Sequence, residues 1–85
     1  MYNLVEVSEF FKKLKPADYI AVADNPMTPK HILEILAVNK SYKVRASVAC
    51  HPSTPISALK ELSKDTDFYV AQVAAKKLFV LRQGL

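Results

Sequence analysis

Apolar residues recur at three- and four-residue steps along most of the chain, and the steps are interrupted by proline and small polar residues. Leu33 with Leu36, and Leu59 with Leu62, share one helical face at i, i+3. Val44 with Val48, and Val70 with Ala74, do so at i, i+4. The stretches between them carry helix punctuation. Thr28 and Thr54 are expected N-caps, with Pro29 and Pro55 at the first helical position, where a missing N–H costs nothing. Asn39 and Asp65 are expected stops because Asn and Asp tolerate left-handed backbone angles. Ser41 and Asp67 would cap a second, shorter helix. Pro26 and Pro52 disfavour helix at Asn25 and His51 before them. The pattern predicts helix, turn, short helix, turn, and then the same again.

The chain repeats itself. Shifted by 26 residues, Val22 falls on Val48, Ala23 on Ala49, Pro26 on Pro52, Thr28 on Thr54 and Pro29 on Pro55. Leu33 then falls on Leu59, Leu36 on Leu62, Val44 on Val70 and Ala49 on Ala75. These residues shape and pack helices, so the repeat is structural. The ends are altered copies. Leu4, Val7, Phe11 and Leu14 form an apolar stripe on a first helix ended by Lys15-Pro16, and Ala17 to Ala23 supply its short partner. After Ala75, Lys76-Lys77-Leu78 stands where a proline turn belongs, and the last helix runs on to about Arg82. The organisation read from this is a capping pair (1–22), two repeats (23–48 and 49–74) and a helical extension (75–85) in one domain. The fold class is all-α: about six helices in three stacked pairs, forming a short right-handed superhelix of the armadillo-like α-solenoid kind. Altered terminal units suit such a stack, whose inner faces need covering.

The residues from Ala23-Asp24-Asn25-Pro26-Met27-Thr28-Pro29 to Val44-Arg45, and from Ala49-Cys50-His51-Pro52-Ser53-Thr54-Pro55 to Val70, resemble the leucine-rich repeat variant, an armadillo/HEAT-like family of alternating helices. The likeness covers roughly Tyr19 to Ala75, and the Asn-Pro-x-Thr-Pro turn is its specific part. The family commonly places Arg after the valine of the second helix; Arg45 fits and Ala71 departs. A member with an iron–sulfur cluster holds it on a separate cysteine-rich segment. A single cysteine cannot ligate such a cluster, so that role is not carried over. The resemblance implies a scaffold.

Composition narrows the classes. At 85 residues and 51% hydrophobic, the chain can bury a real core without staples. With Cys50 alone there is no intramolecular disulfide and no sign of an oxidising compartment. A single glycine, Gly84, argues against tight β-hairpins and leaves no glycine-rich phosphate loop. Neither a bilayer-length apolar run nor a basic-then-apolar leader is seen, so a cytoplasmic, non-membrane protein is expected.

Sites for chemistry are few. Cys50, His51 and His31 are too few for structural zinc and lack its paired spacing; a small buried Cys beside a turn histidine is the expected arrangement. Asp65 and Asp67 read as caps rather than as a catalytic carboxylate pair. His51 is badly placed to activate Cys50, because adjacent residues on an extended turn point apart. No catalytic, metal or cofactor site is predicted, and the chain is expected not to be an enzyme.

Two binding readings remain. The chain has 12 Lys+Arg against 8 Asp+Glu, a net charge of +4. Candidate nucleic-acid contacts are Lys12, Lys13, Lys15, Lys43, Arg45, Lys76 and Lys77. A repeat protein gripping a phosphate backbone should present cations in register. Here Lys43 pairs with Tyr69, Arg45 with Ala71, and Lys60 with Glu34. The register favours solvated lysines, leaving weak nucleic-acid binding as the alternative. Candidate protein contacts are Ile35, Tyr42, Ile56, Phe68, Tyr69, Phe79 and Val80; core burial is their bland alternative. Ile35 and Ile56 face Glu61 and Lys30 in the other copy, which argues for outward positions. Leu78 and Leu81 can pack inward at i, i+3, but Phe79 and Val80 cannot join them, so a weak two-fold homodimer through the last helix is expected. The function read from the sequence is a non-catalytic scaffold for an unidentified protein partner.

Overall fold

A computed structural model describes residues 15–83. The stripe Leu4, Val7, Phe11 and Leu14 and the cations Lys12 and Lys13 lie outside the described residues. Within them the chain is all-helical: α1 (Pro16–Asp24), α2 (Lys30–Leu36), α3 (Tyr42–Cys50), α4 (Ile56–Leu62) and α5 (Phe68–Gln83). The short partner expected over Ala17–Ala23 is α1. Each unit breaks where its proline forbids helix: Asn25 (φ −73°, ψ 119°) and His51 (φ −69°, ψ 134°) are extended before Pro26 and Pro52. At position 77, where no proline follows, α5 continues through the register of that turn.

The repeated apolar positions form one core. Leu33, Leu36, Leu59, Leu62, Val44 and Val70 are each at most 2% exposed, joined by Ala23, Val48, Ala49 and Ala74. α3 is central, packing against α1, α2, α4 and α5, while α5 lies against both α3 and α4.

The turn chemistry differs from the caps expected. Pro29 and Pro55 sit at the N-cap, one residue outside their helices, and neither Thr28 nor Thr54 caps a helix. Their hydroxyls instead donate back to the carbonyls of Val22 and Val48, each at 2.5 Å. The threonines thus add a second bond to carbonyls that already accept the Asn25 and His51 N–H at the ends of α1 and α3, tying each turn to the helix before it. No described residue has positive φ, so Asn39 and Asp65 do not stop helices in the left-handed region. Their side chains accept the N–H two residues on, at Ser41 (2.9 Å) and Asp67 (2.8 Å), turning the chain by side-chain bonding instead. Ser41 occupies the N-cap of α3 without a side-chain cap bond. Asp67 does cap α5, accepting the Val70 N–H at 3.0 Å.

Candidate functional site

The repeat is also written in the bonds between units. Buried His51 uses both ring nitrogens: Nδ1 accepts the Ser53 N–H at 3.0 Å, so Nε2 carries the proton and donates to the Asn25 carbonyl at 2.8 Å. One unit earlier, Asn25 Oδ1 accepts the Met27 N–H at 2.9 Å in the same way. One unit later, the Lys77 ammonium donates to the His51 carbonyl. Positions 25, 51 and 77 therefore form a ladder in which the side chain of one unit closes the main chain of the unit before it. Burial pulls the Lys77 amine below its ordinary value, against the upward pull of the nearby Cys50 sulfur.

A second tie crosses the units at the opposite end of the short helices. Arg45 holds Asp65 with two bonds, Nε to Oδ2 at 2.7 Å and Nη2 to Oδ1 at 3.1 Å. Its Nη1 donates to the carbonyls of Asn39 (2.8 Å) and Lys40 (3.0 Å). Burial pushes the Asp65 carboxyl up, but the Arg45 bonds, the Asp67 N–H and the Arg45 charge outweigh it and hold the carboxyl below its ordinary value. The ion pair borders an open groove of about 670 Å³ between α2 and α4, into which Glu34, Glu61 and Val38 also face. Asp67 caps α5, as expected of it, while Asp65 closes a turn and pairs with Arg45 rather than capping a helix.

Of the candidate cations, Lys15, Lys43 and Lys76 are exposed. The candidates Arg45 and Lys77 are engaged in links between units, because each lies where a neighbouring unit offers a carboxylate or a carbonyl. Cys50 is exposed rather than buried: its position looks outward from the end of α3, and His51 fills the space below. Among the described residues no cluster of three or more His, Cys, Asp or Glu could hold a metal ion.

Of the apolar candidates, Ile35 is half-buried and packs against the core, because the α2 face next to Leu36 is wider than the i, i+3 stripe. The other six are exposed. Tyr42 (47%) and Phe68 (75%), equivalent positions in the two units, begin α3 and α5, and Tyr69 (57%) adjoins Phe68. Ile56 heads α4, and Phe79 and Val80 lie far along α5. Leu78 packs against the core, but Leu81, expected inward, is 45% exposed because α5 has run past α3 and α4. Sequence reasoning missed exposed Met27 and Val38; both sit in turns, where no periodicity assigns a face. Among the described residues no helix is long and apolar enough to cross a membrane. Comparison of the chain with protein-family models, curated proteins and solved structures returns no match.

Proposed function

We propose that the chain is a non-catalytic helical-repeat module that binds a protein partner through a ridge formed by Tyr42, Phe68 and Tyr69. The observation that carries this reading is the recurrence of a large exposed aromatic at one repeat position, Tyr42 and Phe68, above a core already filled by Val44 and Val70. Burial in the core cannot account for these rings, and exposed aromatics on a rigid helix start suit a contact centre. The finer architecture belongs to the same proposal: a short right-handed superhelix of stacked pairs. It is supported by the packing of α3 against both α1 and α5 and by the 26-residue ladder of His51 and Lys77. The likeness to the leucine-rich repeat variant is part of this proposal and rests on the two turns at Asn25–Pro29 and His51–Pro55. A cytoplasmic setting, where an exposed thiol such as Cys50 stays reduced, goes with it.

The test is affinity capture from a nuclease-treated host lysate, with the wild type compared with Tyr42→Ala/Phe68→Ala and with Lys43→Ala. A protein retained by the wild type and by Lys43→Ala, and lost with the aromatic double variant, supports the ridge. Equal capture by all three contradicts it. So does tight binding of plain oligonucleotides that weakens steeply with salt, which points to phosphate contacts.

A further inference from the structure

The two short helices α3 and α5 are equivalent in sequence register but not in cover. On α3, Ala46 and Ala49 are 8% and 0% exposed; their counterparts on α5, Gln72 and Ala75, are exposed. The difference has a geometric reading. Lys77 lies on the side of α5 that meets the end of α3, since it donates to the His51 carbonyl. His51 in turn follows the side of α3 that meets the end of α1, since it donates to the Asn25 carbonyl. At 100° per residue Ala46 and Ala49 lie about 140–160° round α3 from His51; α5 packs against α3, and Arg45 reaches from it to Asp65, so we assign this buried side as the one that receives α5. On α5 the matching side carries Ala75 and Phe79, within about 40° of one another at 100° per residue, flanked by Gln72, Lys76 and Arg82. Among the described residues nothing covers this surface. At the other end, α1 presents the inserting side, with Ala21 at the register of Ser47 and Val73, and Asn25 at that of His51 and Lys77. Ala17, Asp18, Ala21, Asp24 and Asn25 are all exposed there.

We propose that copies of this chain join end to end, with the open side of α5 in one copy receiving the open side of α1 in the next, as α3 receives α5 within the chain. The inference rests on the superhelical reading above and is independent of the aromatic ridge. Two features select a second copy as the occupant. The repeat positions are the same ones, so the geometry that seats α5 on α3 is available between chains. The charges are also opposite: the α1 end offers Asp18 and Asp24, and the α5 end offers Lys76 and Arg82, with Lys15 beside Asp18 as the like charge at that end. Lys77 donates to the carbonyl of His51, the residue after Cys50, inside the chain. Moved on by one unit, that juxtaposition sets Lys76 beside Asn25 and Asp24 of the next copy. A two-fold contact of α5 on α5 would instead bring Lys76 and Arg82 against their own copies. The joint is heterologous and does not close on itself as a dimer. A single helix pair buries less than the roughly 800 Å² per partner of a stable complex, so the joint belongs to the weak, transient class.

The test is sedimentation of the wild type up to about 1 mM at low and at high salt, with Asp24→Lys and Lys76→Glu alone and mixed. End-to-end joining predicts a mass that grows beyond the dimer and association that weakens with salt. It also predicts about fivefold or greater weakening in each single variant, with recovery when the two are mixed. Asp24→Asn and Lys76→Gln give a smaller loss in the same direction if a reversed charge lowers helicity. A wild type that stays monomeric at low salt overturns the proposal. So does association that tightens with salt, or that ignores Asp24→Lys, which marks an α5–α5 contact. Tyr42→Ala must leave the joint unchanged, which separates this outcome from failure of the ridge.

Discussion

Replacing His51 by leucine probes the inter-unit ladder where it is most buried. The ring is 3% exposed and both nitrogens are engaged, so the substitution strands the Ser53 N–H and removes one of two bonds at the Asn25 carbonyl, which still accepts the Thr28 N–H at 3.0 Å, while keeping a similar apolar volume. A buried backbone group that loses its partner costs about 1–3 kcal/mol. Asn25 is itself exposed, so water can partly replace the bond to its carbonyl, and that contribution falls at the low end. The cost is therefore about 1–3 kcal/mol, mostly from the Ser53 N–H, against the roughly 5–8 kcal/mol expected for a domain of this size. At about 4–8 °C per kcal/mol, the midpoint drops by about 5–20 °C. His51→Asn is the discriminating partner variant. Asn25 Oδ1 already accepts the N–H two residues on, so an asparagine in place of His51 can keep the Ser53 bond and lose only the longer reach to Asn25. Its expected cost is about 1 kcal/mol. Urea unfolding at neutral pH measures both. A cost under about 0.5 kcal/mol for His51→Leu, or an asparagine variant no better than leucine, refutes the reasoning.

Leu59→Ala and Leu62→Ala should each cost about 2–5 kcal/mol in urea melts, since both side chains are almost fully buried; a loss below about 0.5 kcal/mol for both would mean the wrong helical face was assigned. Asp65 is held below its ordinary carboxylate value, so its contribution is present above that value and fades as the pH falls through the lowered one. Thermal melts from pH 7 to pH 2 should therefore show an acid loss that Asp65→Asn reduces, and identical acid profiles would contradict the Arg45 link. Stability should be indifferent to EDTA, and elemental analysis that finds one zinc or iron per chain, lost with Cys50→Ser, would reverse this.

What the sequence disclosed and what it withheld divide along physical lines. Leu33, Leu36, Leu59, Leu62, Val44 and Val70 were legible as core because burial repeats with helical periodicity and again with the 26-residue shift. The breaks at Asn25 and His51 were legible because proline restricts the residue before it. The direction of a short side chain's bond was not. Thr28 has the identity of an N-cap, yet its hydroxyl finds the Val22 carbonyl of the preceding helix, a partner set by the path of the turn. Arg45 and Lys77 looked like surface cations because their partners, Asp65 and the His51 carbonyl, are 20 and 26 residues away. The exposed side of α5 was legible only in part. Phe79 and Val80 were flagged by crowding, while the significance of Ala75 emerges only against buried Ala49.

In the proposed superhelix, register-equivalent helices stack in sequence, α1 beside α3 beside α5. Ala17, Lys43 and Tyr69 are exposed and occupy one repeat position, so spin labels placed there pairwise in a Cys50→Ser background report the spacing directly. With neighbouring helix axes about 8–10 Å apart, such stacking gives equal separations for 17–43 and 43–69 and a 17–69 separation of about 16–20 Å between axes. A 17–69 separation no greater than the other two would contradict it.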